Sequence, residues 1–109
     1  MELKRVVVTG VGAITPLGHN VADTWAAIVA GKSGAAPITR FNTEKFKTHF
    51  ACEVKDFDPK KYIDRKEANK MDLYTQFAMV AATEAVEDAN LDMETLDKNR
   101  VGVVLGVGI

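Results

Sequence analysis

Little in this sequence carries recognisable chemistry by composition alone. One cysteine, Cys52, stands among 109 residues, which excludes an internal disulfide and a cysteine-rich metal cluster. The two histidines, His19 and His49, are far apart and have too few partners to argue a metal site. No apolar run approaches the ~20 residues of a membrane-spanning helix. The start Met1-Glu2-Leu3-Lys4-Arg5 leads into only three valines, too short a run for the core of a secretory signal. The net charge is −1, so no field of one sign favours nucleic acid or a membrane surface. These absences leave the cytoplasm as the expected location and give no cofactor, metal, nucleic acid or membrane to expect. Repeats and low-complexity segments are missing too. What remains, 47% hydrophobic and 27% charged residues, describes a globular chain long enough for one domain and too short for two.

The most informative stretch is residues 73–109. Leu73, Phe77, Val80 and Ala81 recur at helical spacing as an apolar stripe, and Ala78, Ala82, Ala85 and Ala89 form an adjoining row of small side chains. The pattern predicts a long helix over 73–89, buried on more than one side, whose alanine face lets another backbone approach closely. Asn90 suits its C-terminal cap. Then comes Val101-Gly102-Val103-Val104-Leu105-Gly106, which has no polar side chain. A continuous run rather than an alternating one predicts a strand covered on both faces, as in parallel sheets. Val6-Val7-Val8 reads the same way. The two runs are therefore expected side by side and parallel, joined through helices by a right-handed crossover.

Thr9-Gly10-Val11-Gly12 follows the first run. A glycine-rich turn after a buried strand invites a nucleotide-binding reading, but Thr15 stands where the third glycine of Gly-x-Gly-x-x-Gly belongs. Gly31-Lys32-Ser33 spells the end of a phosphate loop, yet Ala26 stands where its first glycine would be, and the run closes a helix instead of opening one. The preferred reading of the first turn is a tight strand-to-helix connection with glycine at positive φ. Asn20 is a good N-cap, Asp23 suits the helix dipole, and Gly31 closes the helix. Along it Val21, Trp25, Ile28 and Val29 recur at helical spacing, with Trp25 as a core anchor. From 32 to 59 the periodicity weakens. Residues 51–56 roughly alternate, which suggests a short half-exposed strand with Cys52 and Val54 on one side and Glu53 and Lys55 on the other. A Cys52–His49 nucleophile pair is conceivable, but nothing orients the histidine, so Cys52 is read as a packed structural thiol. Asp64-Arg65-Lys66-Glu67 has capping-box spacing. Lys60, Lys61, Arg65, Lys66 and Lys70 form a local basic cluster. It is either a solvated face or a surface that docks an acidic partner.

Three stretches taken together resemble a known family. They are Arg5-Val-Val-Val-Thr-Gly-Val-Gly-Ala-Ile-Thr-Pro-Leu-Gly18, Lys70-Met-Asp-Leu-Tyr-Thr-Gln-Phe77 and Arg100-Val-Gly-Val-Val-Leu-Gly-Val-Gly-Ile109. In this order and spacing they are similar to the start of a type II β-ketoacyl-[acyl-carrier-protein] synthase. Each piece alone is weakly specific; the set is specific and spans the chain. The resemblance implies an α/β fold of the thiolase-like kind, with this chain forming the N-terminal part of the first α/β half, parallel strands with crossover helices. It implies decarboxylative condensation of malonyl carrier protein with an acyl thioester, no cofactor, and a homodimer in the intact enzyme. The family's cysteine nucleophile, two histidines and lysine all match positions beyond 109, so no catalytic residue is expected here and Cys52 is not the nucleophile. Gly108 and Ile109 match the turn that lines the acyl-chain pocket, where the isoleucine gates chain length. Arg65, Lys66 and Lys70 fall where such synthases meet the acidic acyl carrier protein; Asn69 stands where a basic residue is frequent.

Two functional classes follow. One is the N-terminal segment, 1–109, of an elongating synthase. The other is a non-catalytic chain-length factor of a polyketide system, in which the nucleophilic cysteine is replaced. A stand-alone binding module conflicts with the apolar end at 106–109. The chain is accordingly expected to be incomplete as a domain and to need partners for at least one strand edge and one helix face.

Overall fold

The computed structural model describes residues 1–108. Its elements in order are α1 (Val21–Val29), a two-residue strand β1 (Ala36–Pro37), its partner β2 (Phe50–Ala51), a 3-10 turn (Pro59–Lys61), α2 (Arg65–Ala68), α3 (Leu73–Asp88) and a second 3-10 turn (Lys98–Arg100). β1 and β2 pair antiparallel, Ala36 opposite Ala51 and Pro37 opposite Phe50.

The helices begin and end where local chemistry directs. The Asn20 side chain accepts the Asp23 N–H at 2.7 Å and donates back to the Asp23 carboxylate at 2.9 Å, opening α1. Gly31, at φ 67, closes it. The Gly31 N–H bonds the Ile28 carbonyl and the Lys32 N–H bonds the Ala27 carbonyl, the two reversed bonds of a Schellman cap. The end of α3 is built alike. Asn90 takes φ 52, its N–H bonds Glu87, and the Leu91 N–H bonds Val86. Asparagine serves in this left-handed position because its short polar side chain tolerates it.

α3 organises the rest. The segment 10–12 crosses its alanine face so closely that a Cβ on Gly10 would lie 2.5 Å from the Ala89 nitrogen, and one on Gly12 would run into the Ala81 carbonyl oxygen. Close approach is thus what these glycines supply. Neither has the positive φ expected from the sequence; Gly31 is the glycine that does. Two α3 carboxylates fix the crossing. Glu84 accepts the Ala13 N–H and the Val21 N–H, both at 2.9 Å, and Asp88 accepts the Val11 N–H at 2.9 Å. Val21 is the first residue of α1, so Glu84 also satisfies an orphan donor at that helix's start.

The two valine runs differ from the sequence expectation. Residues 6–8 and 101–106 form no strand and join no sheet, and they do not pair with each other. Val104 is 95% exposed. The physical reason is a shortage of cover. A strand apolar on both faces needs neighbours at its edges and helices above and below, and α3 spends its small-residue face on residues 10–12. Trp25 departs as well: it is 64% exposed, with Ile28 and Val29 also turned outward, because α1 faces the chain through Thr24 and Ala27 instead. The Thr24 hydroxyl meets that of Thr15 at 2.9 Å, and Ala27 is the buried residue of α1.

The core is correspondingly slight. Ala27, Ala68 and Val80 are the buried apolar residues among those described, and no large side chain is fully enclosed. The surface is 9359 Å², where a compact monomer of this mass exposes about 6000 Å². The radius of gyration is 17.4 Å, against about 13 Å for a compact chain of this length.

Candidate functional site

The basic cluster is assembled by two short turns that pack on each other. Asp58 opens the 3-10 turn by accepting the Lys60 N–H at 3.1 Å, and Pro59 follows with its φ already fixed. Asp64 opens α2 by accepting the Lys66 N–H at 2.9 Å. This is a plain N-cap, because Lys66 is the second helical residue; the box read from the sequence, which needs the Glu67 N–H, is not formed. Glu67 does not return to the Asp64 N–H; its carboxylate meets the Lys70 ammonium at 2.9 Å instead. α2 is seated through buried Ala68 and through Gln76 of α3, whose amide donates to the Ala68 carbonyl at 3.0 Å and the Met71 carbonyl at 3.4 Å. This ties the Lys70-to-Phe77 motif to the turn it follows.

An aromatic cluster braces the same region. Phe57 stacks on Tyr62 at 5.9 Å and meets Phe77 edge-on at 5.0 Å and His19 at 5.8 Å. The His19 Nε2–H donates to the Lys55 carbonyl at 2.6 Å. The turns, α3 and the start of α1 enclose a cleft of about 690 Å³, lined by Lys61, Tyr62, Asp64, Glu67, Val80 and Glu84 among others. Lys60, Lys61, Arg65, Lys66 and Lys70 are all exposed. Arg65, Lys66 and Lys70, the predicted partner-binding residues, are each exposed, on α2 and just after it.

The other predicted site residues fare differently. Gly108 lies at the end of the unpaired run, with open space where a Cβ would stand. Ile109 falls outside the described residues, and the acyl-pocket expectation rests on it. Cys52 is exposed, not packed. Residues 51–56 do not alternate as the sequence suggested: the strand stops at Ala51, Glu53 and Val54 are both half-buried, and Cys52 and Lys55 are both exposed. The Glu53 carboxylate accepts the Thr39 hydroxyl at 2.9 Å and the Thr39 N–H at 3.3 Å, with the Arg40 guanidinium at 3.8 Å. Partial desolvation raises the Glu53 pKa, but the bonds from Thr39 and Arg40 and the Arg40 charge outweigh it and hold the carboxyl below its ordinary value. His49 bonds the Thr43 hydroxyl at 3.1 Å.

Sequence reasoning missed Glu84, Phe57 and Gln76. Glu84 had one usable signal, an acid bordering an alanine face, where a crossing backbone would bring N–H groups. Phe57 had none.

Comparison with known proteins adds the larger frame. The chain superimposes on the ishigamide ketosynthase/chain length factor with a TM-score of 0.73 and 44% identity, covering 83% of this chain and 22% of that one. That match places it in the thiolase-like α/β class. The profile of the family described as Beta-ketoacyl synthase, N-terminal domain, matches residues 3–109, and the chain belongs to that family. Among curated relatives, the 3-oxoacyl-[acyl-carrier-protein] synthase 2 of Coxiella burnetii (strain RSA 493 / Nine Mile phase I) is 50% identical over 109 residues, all of this chain and 26% of the relative. The protein of that name from Synechocystis sp. (strain ATCC 27184 / PCC 6803 / Kazusa) is 46% identical over the same share. The chain thus spans about a quarter of the length of these relatives.

Proposed function

We propose that the chain is the N-terminal segment of a 3-oxoacyl-[acyl-carrier-protein] synthase, which condenses malonyl carrier protein with an acyl thioester and releases carbon dioxide. The observation that carries this reading is 50% identity over every residue to a relative of that name. The unburied core supports the same reading, since residues 6–8 and 101–106 are shaped for a sheet that the described residues do not supply. Here the segment gives scaffold, not chemistry: nucleophile, histidines and lysine come from sequence after 109. Gly108 and Ile109 form part of the acyl-chain pocket, and Arg65, Lys66 and Lys70 dock acyl carrier protein. The intact enzyme is a homodimer. No described helix is long and apolar enough to cross a membrane.

A chimera tests this. Residues 1–109 replace the matching first quarter of the Coxiella burnetii relative, folding is checked by a cooperative melt, and condensation of malonyl and acyl carrier proteins is assayed. Retained condensation is expected. A folded but inactive chimera would favour the second reading, a chain-length-factor subunit, which the ishigamide neighbour suggests. In the active chimera, Arg65→Glu or Lys66→Glu should weaken carrier-protein binding, more at low than at high salt.

A further inference from the structure

We infer that the loop between β1 and β2 is an interfacial finger: Phe41 and Phe46 enter the headgroup layer of an anionic lipid bilayer, and Lys45 and Lys47 meet its phosphates. The loop closes on itself. The Ile38 N–H bonds the His49 carbonyl at 3.0 Å across its neck, the Phe46 N–H bonds the Thr43 carbonyl at 2.9 Å, and the Asn42 side chain accepts the Glu44 N–H at 3.0 Å. His49 bonds the Thr43 hydroxyl, and Glu53 accepts the Thr39 hydroxyl. Within the loop the Phe41 and Phe46 rings meet edge to face, their centres 5.3 Å apart. Both stay more than half exposed, at 52% and 58%. The rings are held by each other and turned to water.

This exposure differs in kind from that of the valine runs. Residues 6–8 and 101–106 carry no polar side chain and are fit for cover. Between Phe41 and Phe46 stand Asn42, Thr43, Glu44 and Lys45, with Lys47 next. A protein element laid over the rings would bury those charges, at a cost that nothing among the described residues offsets. A bilayer surface takes both, the rings at the acyl boundary and the ammonium groups among phosphates. Residues 40–50 hold three cations, Arg40, Lys45 and Lys47, against one acid, Glu44. Arg40 is drawn to Glu53 at 3.8 Å, while Lys45 and Lys47 have no ion pair among the described residues. Single-stranded nucleic acid would stack its bases on open ring faces. The contact of the two rings, inclined at 68°, occupies one such face and favours lipid. The finger's role does not depend on the carrier-docking reading.

Vesicle co-sedimentation of the chimera at low ionic strength tests this, with folding of each variant checked by its melt. The probes are vesicles of equimolar phosphatidylglycerol and phosphatidylcholine, and vesicles of phosphatidylcholine alone. Binding to the mixed vesicles should exceed binding to the neutral ones by at least about tenfold. Phe41→Ala with Phe46→Ala should lower it about tenfold, and Lys45→Ala with Lys47→Ala by as much. Both pairs should leave condensation of soluble carrier proteins unchanged. Lys61→Ala with Lys66→Ala, a matched loss of charge elsewhere, should lower vesicle binding by less than about twofold. Binding that ignores the phenylalanines, or that falls equally with either lysine pair, would show attraction by general charge and overturn the finger. So would an absence of binding to the mixed vesicles, or retention of a single-stranded oligonucleotide through the same two rings in place of lipid.

Discussion

Two glycine–valine segments of this chain, 10–12 and 101–108, share a composition and have opposite surroundings. At Gly10 and Gly12 there is no room for a Cβ, because the backbone of α3 is already there. At Gly102, Gly106 and Gly108 nothing lies within 4 Å of where one would be. The first segment has a helix that offers it Ala81, Ala85 and Ala89 to lie against, and Glu84 and Asp88 to take its N–H groups. The second has no such helix among the described residues. Apolar composition says that a segment is fit to be covered; the covering element decides whether it is.

The largest effect should come from filling the tight crossing. In the folded chimera, Gly12→Ala should cost about 3 kcal/mol, since the clash is with backbone that cannot swing aside. Gly102→Ala lies in open space here. If the synthase sheet forms around it, as proposed, that substitution too becomes costly in the chimera. In the isolated chain it should stay within about 0.5 kcal/mol. Thermal melts of these three variants beside their two parents make the comparison, and tolerance of alanine at position 12 equal to that at 102 in the isolated chain would break it.

Next is the carboxylate staple. Glu84→Ala strands two half-buried N–H groups and should cost about 2 kcal/mol, against about 1 for Asp88→Ala, whose Val11 partner is exposed. Equal losses in denaturant melts would show that α3 does not hold α1 through Glu84. Asn90→Ala should cost about 1 kcal/mol and Asn90→Gly should not, because alanine resists the left-handed conformation that closes α3. A stable Asn90→Ala variant would mean that another residue ends the helix.

The smallest effect concerns Glu53. Its folded pKa lies below the ordinary 4.5, so its contribution is complete above that value and fades as pH falls through the depressed one. The Thr39 amide resonance should titrate in that acid range, and Glu53→Gln should abolish the titration. A Thr39 amide indifferent to acid would show that Glu53 does not clamp the loop between β1 and β2.

What the sequence made legible was local. The Asn20 cap, the Gly31 stop and the long helix near 73–89 each depend on a few neighbouring residues, and each is found within a residue of its expected place. The basic cluster was legible for the same reason, being carried by two adjacent turns. Trp25, Cys52 and the valine runs were read as buried because their residue types are usually buried; burial depends on distant segments that periodicity does not name. Glu84 was hidden by the converse. Its use appears only once residues 13 and 21 lie beside it. The Glu67–Lys70 pair was obscured by a capping pattern that predicted another partner for the same carboxylate.

The central proposal is that the described residues bury little core of their own and that the segment is completed by further sheet and helix. Residue-resolved amide hydrogen exchange on the isolated chain, kept dilute enough to stay monomeric, tests it most directly. Protection should be modest and confined to α3, the start of α1 and the N–H groups of Val11, Ala13 and Val21, with residues 6–8 and 101–106 exchanging like an unfolded chain. High protection shared by α1, α3 and both valine runs, lost together in one cooperative step, would contradict it.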